Sequence, residues 1–186
     1  MSNDKTRGMS ENGITQNGEG LKRRDVLLSG SSLVAASALA HADFVTPAMV
    51  VIGLRAKDKH QLLDEIARRA AAALGLEPAA ILEPLLAREA LGSTGVGRGI
   101  AIPHARFAGL PRLFGLLARL ERPVDFTAID DQPVDLVCLL LTPASAAAPH
   151  LPALACLSRR LREKGVADRL RAAPDSSALY AALIGA

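Results

Sequence analysis

Hydrophobic and polar positions change character along this 186-residue chain near Phe44. Residues 1–20 are polar and rich in Gly, Asn, Ser and Glu, a composition that buries too little apolar surface to offset the entropy of ordering. From Ala48 to Ala56 the sequence AMVVIGLRA is a β-branched apolar run, typical of a buried strand. We therefore expect the folded domain to span residues 44–186, with residues 1–43 as an extension.

Two helices are predicted after this first strand. Asp58 followed by Gln61 resembles a capping box, and apolar residues then recur on one helical face up to Gly75, which predicts a helix over 58–74. The second helix is predicted from Pro78, a permitted first-turn position, to Arg88. Pro84 lies inside it, where proline costs about 3 kcal/mol unless the helix kinks or restarts.

Strands and helices alternate in the rest of the chain. Short apolar runs predict strands at 100–103, 113–120 and 134–141, and helical spacing predicts helices from His150, over 166–173 and over 175–184. The run VDLVCLLL at 134–141 is apolar on both faces, which indicates a central strand. The pattern as a whole is typical of a compact α/β domain.

Composition narrows the possible functions. Aromatic residues make up only 3% of the chain, and 22 Lys and Arg residues are scattered among 19 acidic ones, so no aromatic, densely basic face for nucleic acid is expected. Cys138 and Cys156 lack metal-ligand spacing and are interpreted as two buried thiols. The apolar stretch 26–40 is shorter than the roughly 20 residues a membrane helix needs, so no stable membrane insertion is expected.

Four glycines occur within the eight residues 92–99, GSTGVGRG. Glycine allows close approach of the backbone to a ligand, and successive N–H groups can bind an anion, with hydroxyl donors added by Ser93 and Thr94. The loop lacks the lysine of a P-loop, and it follows a helix where a dinucleotide motif would follow a strand. Taken alone, such a loop more often only turns the chain.

His104 ends the segment IAIPH and is the candidate nucleophile. Pro103 fixes the backbone, so the imidazole is expected at the end of an apolar strand with a ring nitrogen exposed at the rim of the sheet. By itself this residue is equally consistent with a structural histidine. Arg88, at the end of the preceding helix, favours the functional interpretation because its planar guanidinium can bind phosphate oxygens bidentately.

The segment from Arg88 to Arg106, REALGSTGVGRGIAIPHAR, resembles the signature of the enzyme IIA domains of the bacterial phosphotransferase system, fructose/mannitol class. The later segment FTAIDDQPVDLVCLLLTP, Phe126 to Pro143, followed by His150, is most similar to the nitrogen-regulatory branch of that family. The resemblance covers residues 44–186. It implies the type-2, mannitol-specific IIA-like fold, an α/β architecture with a mixed sheet flanked by helices on both faces.

The resemblance also implies roles for individual residues. In that family the histidine of the IPH segment, here His104, accepts a phosphoryl group from a histidine phosphocarrier protein that a phosphoenolpyruvate-dependent enzyme I has charged. Arg88 and His150 match its other active-site residues, although His150 alone could be an ordinary first residue of a helix. The phosphate-binding loop is matched by a set of four residues: Ser93, Thr94, Gly95 and Gly97. No metal or cofactor is implied.

Three functions follow from this interpretation. The leading hypothesis is a nitrogen-regulatory phosphocarrier whose phosphorylation state regulates partner proteins such as kinases or transporters. The alternative is a sugar-transport enzyme IIA that passes its phosphate to a IIB subunit of the fructose or mannitol type. The third is an exported protein that has kept the fold and binds a ligand without phosphotransfer.

The extension bears on cellular location. Arg23-Arg24 precedes an apolar stretch with small residues, a pattern that resembles a twin-arginine export signal. The same pattern is consistent with an alanine-rich helix before the domain, or with a start codon upstream of the true one. Because the phosphoryl donors of the family are cytoplasmic, the resemblance implies a cytoplasmic protein.

Overall fold

The computed structural model describes residues 41–145 and 150–185, so the extension before His41 lies outside the described residues together with the predictions made for it. Within them the strands are β1 (Val45–Leu54), β2 (Gly95–Gly97), β3 (Ile100–Ala101), β4 (His104–Phe107), β5 (Phe114–Val124) and β6 (Val134–Pro143). The α-helices are α1 (Lys59–Leu74), α2 (Pro78–Ala90), α3 (His150–Arg162), α4 (Val166–Ala172) and α5 (Ser176–Ile184). A short 3-10 turn, His41–Asp43, precedes β1.

The strands form one mixed sheet in the order β1-β5-β6-β3-β2, and β4 also pairs with β6. Strands β3 and β4 run parallel to β6, and β5 runs antiparallel to it. The prediction that the VDLVCLLL strand is central is therefore confirmed, because β6 has neighbours on both sides. Its burial on both faces explains why its sequence shows no alternation with polar residues.

The sheet is covered by helices on both faces. On β6, Val137, Leu139 and Leu141 pack with α1 and α2, while Leu136, Cys138 and Leu140 pack with α3, α4 and α5. Successive side chains of a strand point to opposite faces, so one apolar strand supplies both cores. The predicted α/β architecture is confirmed.

Helix α1 begins and ends as its sequence predicts. The Asp58 carboxylate accepts a hydrogen bond from the Gln61 backbone N–H at 2.8 Å. The Gln61 side chain accepts from the Lys57 N–H, one residue earlier than in a standard capping box. At the other end Gly75 adopts a left-handed conformation, with φ of 68°.

Helix α2 runs through Pro84 without ending there, although proline removes one backbone hydrogen bond. Ile81 and Leu85, on either side of Pro84, are both fully buried against the core. Packing of this face therefore outweighs the local cost of the proline. The helix extends two residues beyond Arg88, to Ala90.

The segment around His104 differs from its prediction. The expected strand over 100–103 ends at Ala101, and His104 is the first residue of β4, not the last residue of an apolar strand. Pro103 has no N–H for the ladder, which explains the break, although its carbonyl still accepts from the Leu140 N–H at 3.0 Å. The predicted glycine loop likewise contains β2, which pairs antiparallel with β3.

The two cysteines differ in burial. Cys138 on β6 is buried, as predicted, and burial raises the pKa of its thiol to about 12. Cys156 on α3 is only partly buried, so the prediction of two buried thiols is wrong for this residue. Its helix has an exposed face, and the position of Cys156 is near that face.

Asp58→Ala should lower the free energy of unfolding by about 1 kcal/mol, because the Gln61 N–H loses its capping acceptor. Urea unfolding followed by circular dichroism measures the change. Asp64→Ala is the matched control, since it removes a carboxylate of the same helix whose partner is the surface cation Arg68, and its effect should stay within about 0.5 kcal/mol. Equal effects of the two variants would contradict the capping role.

Candidate active site

His104 is held at the start of β4 with its imidazole largely buried; the residue is 9% exposed. Its Nδ1 lies 2.8 Å from the carbonyl oxygen of Ile102, and its Nε2 lies 3.1 Å from Nε of Arg88. A carbonyl only accepts and a guanidinium only donates, so Nδ1 carries the proton and Nε2 presents a lone pair. The break at Pro103 places the Ile102 carbonyl where it selects this tautomer.

Arg88 reaches the imidazole from the last turn of α2. While Nε donates to Nε2 of His104, NH1 donates to the carbonyl of Gly92 at 2.9 Å. The guanidinium is thus fixed by the glycine loop on one side and by the imidazole on the other. It brings a permanent positive charge to the ring nitrogen that has the lone pair.

His150, the first residue of α3, completes the group. Its ring centroid is 5.6 Å from that of His104, and the two rings are inclined at 48°. Its Nδ1 lies 2.8 Å from Oγ1 of Thr142, near the end of β6. The structure therefore brings together the three residues Arg88, His104 and His150, which come from a helix end, a strand start and a helix start.

Both imidazoles favour the neutral form. Burial lowers the pKa of His104 from its ordinary value of 6.5, the Arg88 charge lowers it further, and the bond to the Ile102 carbonyl and the nearby Glu89 partly oppose this. Burial also lowers the pKa of His150, with smaller contributions from His104 when it is protonated and from the positive charges of Arg106 and Arg88. A neutral His104 next to a cation is a competent nucleophile for an anionic electrophile.

The polar groups of the glycine loop have partners inside the protein. Ser93 Oγ donates to the Phe126 carbonyl and accepts from the Gly95 N–H, while the N–H and hydroxyl of Thr94 both bond to Glu89 Oε2, at 2.9 and 2.6 Å. These contacts fix the shape of the loop below Arg88. A phosphate contact from Ser93 or Thr94 stays a prediction, and it requires one of these bonds to be exchanged.

Two of the glycines are required by close packing. A Cβ on Gly95 would lie 2.7 Å from Cβ of Ala128, and Gly97 has a φ of 88° with Asp130 next to it. Gly95 is part of β2, where it pairs with Ala101. The sequence pattern explained these glycines by a ligand, and the structure adds a reason within the fold.

Glu89 and Lys59 form a partly buried ion pair beside the site. This pair was not predicted from the sequence. The Glu89 side chain is 8% exposed, and its Oε1 accepts from Lys59 Nζ at 3.1 Å. Lys59 also donates to the Thr127 hydroxyl and lies over the Phe126 ring. Glu89 thus ties the end of α2, the start of α1 and the glycine loop together. Glu89 lies in the segment REALGSTG that matches the family signature, and this match was the available signal.

Comparison with known proteins decides the family. The model described as "Phosphoenolpyruvate-dependent sugar phosphotransferase system, EIIA 2" matches residues 43–185, well over half of the chain. The chain belongs to the EIIA 2 family. The resemblance found in the sequence is therefore confirmed, and the fold described above is the EIIA 2 fold.

Several EIIA 2 relatives are nitrogen regulatory proteins. One, from Bradyrhizobium diazoefficiens, is 48% identical over 141 residues, which cover 76% of this chain and 92% of the relative. The crystal structure of nitrogen regulatory protein IIA-Ntr from Neisseria meningitidis superposes with a TM-score of 0.70 at 34% identity, covering 74% of this chain and 94% of that one. The chain is thus a homologue of nitrogen regulatory EIIA proteins.

A solved structure of lower sequence identity shares the fold. It is the complex of enzyme IIAMtl with phosphorylated enzyme IIBMtl from Escherichia coli, with a TM-score of 0.63 and 18% identity, covering 76% of this chain and 98% of that one.

Within residues 41–145 and 150–185, no helix is long and apolar enough to cross a membrane. No cluster of three potential metal-ligating side chains occurs in the same described part.

The stability of this EIIA 2 domain should fall as the pH drops below about 6.5. In the folded protein the pKa values of His104 and His150 lie below their ordinary value of 6.5. Between pH 6.5 and these lower values the unfolded chain therefore binds more protons than the folded protein, and protonation favours unfolding. Urea unfolding between pH 8 and 5 measures the loss, and NMR titration of the two imidazoles gives their midpoints. Midpoints at or above 6.5 would contradict the burial argument.

Proposed function

We propose that this EIIA 2 protein is a regulatory phosphocarrier in which His104 accepts a phosphoryl group on Nε2. One observation carries the proposal: Nδ1 of His104 donates to Ile102 while Nε2 is directed at the Arg88 guanidinium. The imidazole is therefore oriented as a nucleophile whose attacking atom lies where an anionic phosphoryl group meets a cation.

The transfer needs no further reactant. The lone pair of His104 Nε2 forms a bond to phosphorus while the N–P bond of the donor's phosphohistidine breaks and its electron pair returns to the donor imidazole. The imidazole of His104 then carries a proton on Nδ1 and the phosphoryl group on Nε2. The Ile102 carbonyl stabilises the positive charge that the ring acquires.

Three side chains around His104 would stabilise the incoming charge. Arg88 can exchange its bond with Nε2 for bonds to phosphoryl oxygens, His150 can donate from Nε2 once protonated, and Arg106 adds positive charge nearby, since it also acts on the pKa of His150. Catalysis then consists of positioning and charge stabilisation. No metal or cofactor enters this scheme.

We propose that the glycine loop forms one wall of the phosphoryl-binding site. The four residues Ser93, Thr94, Gly95 and Gly97 follow Gly92, whose carbonyl accepts from Arg88, and they are proposed to contact the phosphoryl group when it is bound. For Thr94 this means that its hydroxyl turns from Glu89 to the phosphate. The N–H bond from Thr94 to Glu89 can be kept throughout.

A histidine phosphocarrier protein is the proposed donor, and the proposed outcome is regulation of partner proteins such as kinases or transporters by the phosphorylation state. The identity to nitrogen regulatory proteins over most of their length supports the regulatory role. Exposed Leu91 and Leu151 flank Arg88 and His150 in the sequence and offer apolar contacts for a docking protein. We further propose a cytoplasmic protein with a domain at 44–186 after an extension at 1–43.

His104→Ala should abolish labelling from phosphoenolpyruvate in the presence of enzyme I and the histidine phosphocarrier. Arg88→Ala should slow it on the order of a hundredfold, as for loss of one preorganised donor, and His150→Ala should slow it less. Labelling rates are measured by gel autoradiography and folding by circular dichroism. The matched control is His60→Ala, an exposed histidine of α1, which should label as wild type. Labelling of His104→Ala at the wild-type rate would overturn the proposal.

The regulatory role and the sugar-transport role differ in whether a IIB protein accepts the phosphoryl group from this chain. The labelled protein should not pass its phosphate to IIB proteins of the fructose or mannitol type at a rate near that of their own IIA proteins. Transfer is followed by the loss of label from this chain and its appearance on IIB, with the cognate IIA as the positive control. Transfer at the cognate rate would favour the sugar-transport alternative, with the same site residues.

A further inference from the structure

Thr142 is the buried hydroxyl beside the site that neither the family resemblance nor the proposed transfer step assigns. It lies near the end of β6 and is 0% exposed, and the residues before it from Leu136 to Leu141 are all apolar. Leu140, two residues earlier, packs with helices α3, α4 and α5. By strand alternation Thr142 is on the same face, below the first residue of α3.

Among the described residues, two polar atoms contact this hydroxyl. Nδ1 of His150 lies 2.8 Å from Oγ1, and the Ala105 carbonyl oxygen lies 3.5 Å from it. A hydroxyl has one proton to donate, and a carbonyl can only accept. Both contacts are hydrogen bonds only if Nδ1–H of His150 donates to Oγ1 and Oγ1–H donates to Ala105.

This arrangement decides which nitrogen of His150 is available to the site. With the proton on Nδ1, the neutral ring has its lone pair on Nε2, and in the described part of the chain Nε2 has no hydrogen-bond partner. When a phosphoryl group arrives on His104, Nε2 can take up a proton and donate to it, with Nδ1 already fixed. A histidine whose second nitrogen is held in this way is fixed in both tautomer and orientation.

We propose that Thr142 is a positioning residue that holds His150 in the Nδ1–H tautomer and keeps its Nε2 available to the phosphoryl group on His104. The proposal rests on the proposed function of His104, but its tautomer statement can be tested without any phosphoryl transfer. Charged and titratable groups near His150 are His104, Arg88 and Arg106. None of them contacts Nδ1, so they do not replace Thr142 in this role.

The test compares Thr142→Val, which keeps the branched shape and removes the hydroxyl, with Thr142→Ser, which keeps the hydroxyl, in the full 186-residue chain. Two-bond 1H–15N NMR spectra at pH 8 assign the protonated nitrogen of His150. Wild type and Thr142→Ser should show Nδ1–H. Thr142→Val should lose this preference and populate Nε2–H.

Phosphoryl transfer gives the second measurement. Thr142→Val should accept phosphate from the histidine phosphocarrier roughly five- to tenfold more slowly, as for loss of one hydrogen bond, and Thr142→Ser should restore most of the rate. If both variants are equally slow, the methyl group matters and not the hydroxyl, and the proposal is wrong. An unchanged rate in Thr142→Val overturns it as well.

The wild-type spectrum tests the proposal whether or not the variants fold. If wild-type His150 carries its proton on Nε2 at pH 8, the proposal fails whatever the variants do. If instead wild type accepts no phosphate while His150 shows Nδ1–H that Thr142→Val loses, the proposed function of His104 fails and the positioning of His150 by Thr142 stands.

Discussion

Strand β6 is the constraint on which the rest of the structure depends. It is buried on both faces, pairs with β5 on one side and with β3 and β4 on the other, and supplies apolar residues to both cores. The pairing of β4 with β6 places His104 opposite Leu140 and Arg106 opposite Thr142. Because a shift of one residue in a strand moves every side chain to the other face, this register determines which groups meet at the site.

Much of the fold could be predicted from the sequence, because the signals were local. The cap at Asp58 and the left-handed Gly75 define α1, and the doubly apolar run of β6 marks a central strand. The misses have physical reasons. Pro103 interrupts the ladder inside an apolar run that looks continuous, and β2 lies among glycines that have no side-chain pattern to detect. At Pro84 the burial of Ile81 and Leu85 outweighs a local penalty.

The sequence predicted which residues form the site better than it predicted the contacts between them. Arg88, His104 and His150 were found because a motif and a resemblance pointed to them. Their hydrogen bonds depend on local backbone geometry and strand pairing that a sequence pattern does not show, such as the position of the Ile102 carbonyl beside Pro103 and of the Thr142 hydroxyl at the end of β6. No pattern in one sequence shows that Glu89 bonds to Thr94 and Lys59, since the register of three separate elements determines it.

The Glu89–Lys59 pair affects the electrostatic potential of the protein surface around the site. Although Glu89 follows Arg88 in the sequence, its side chain is buried and paired with Lys59, so its negative charge opposes the guanidinium at the site only in part. With both imidazoles neutral, the electrostatic potential over this face is set by the arginines. A phosphoryl group would bring about two negative charges to it. A partner with an acidic or a basic contact surface could thus distinguish the two forms by potential alone, with no movement of the backbone.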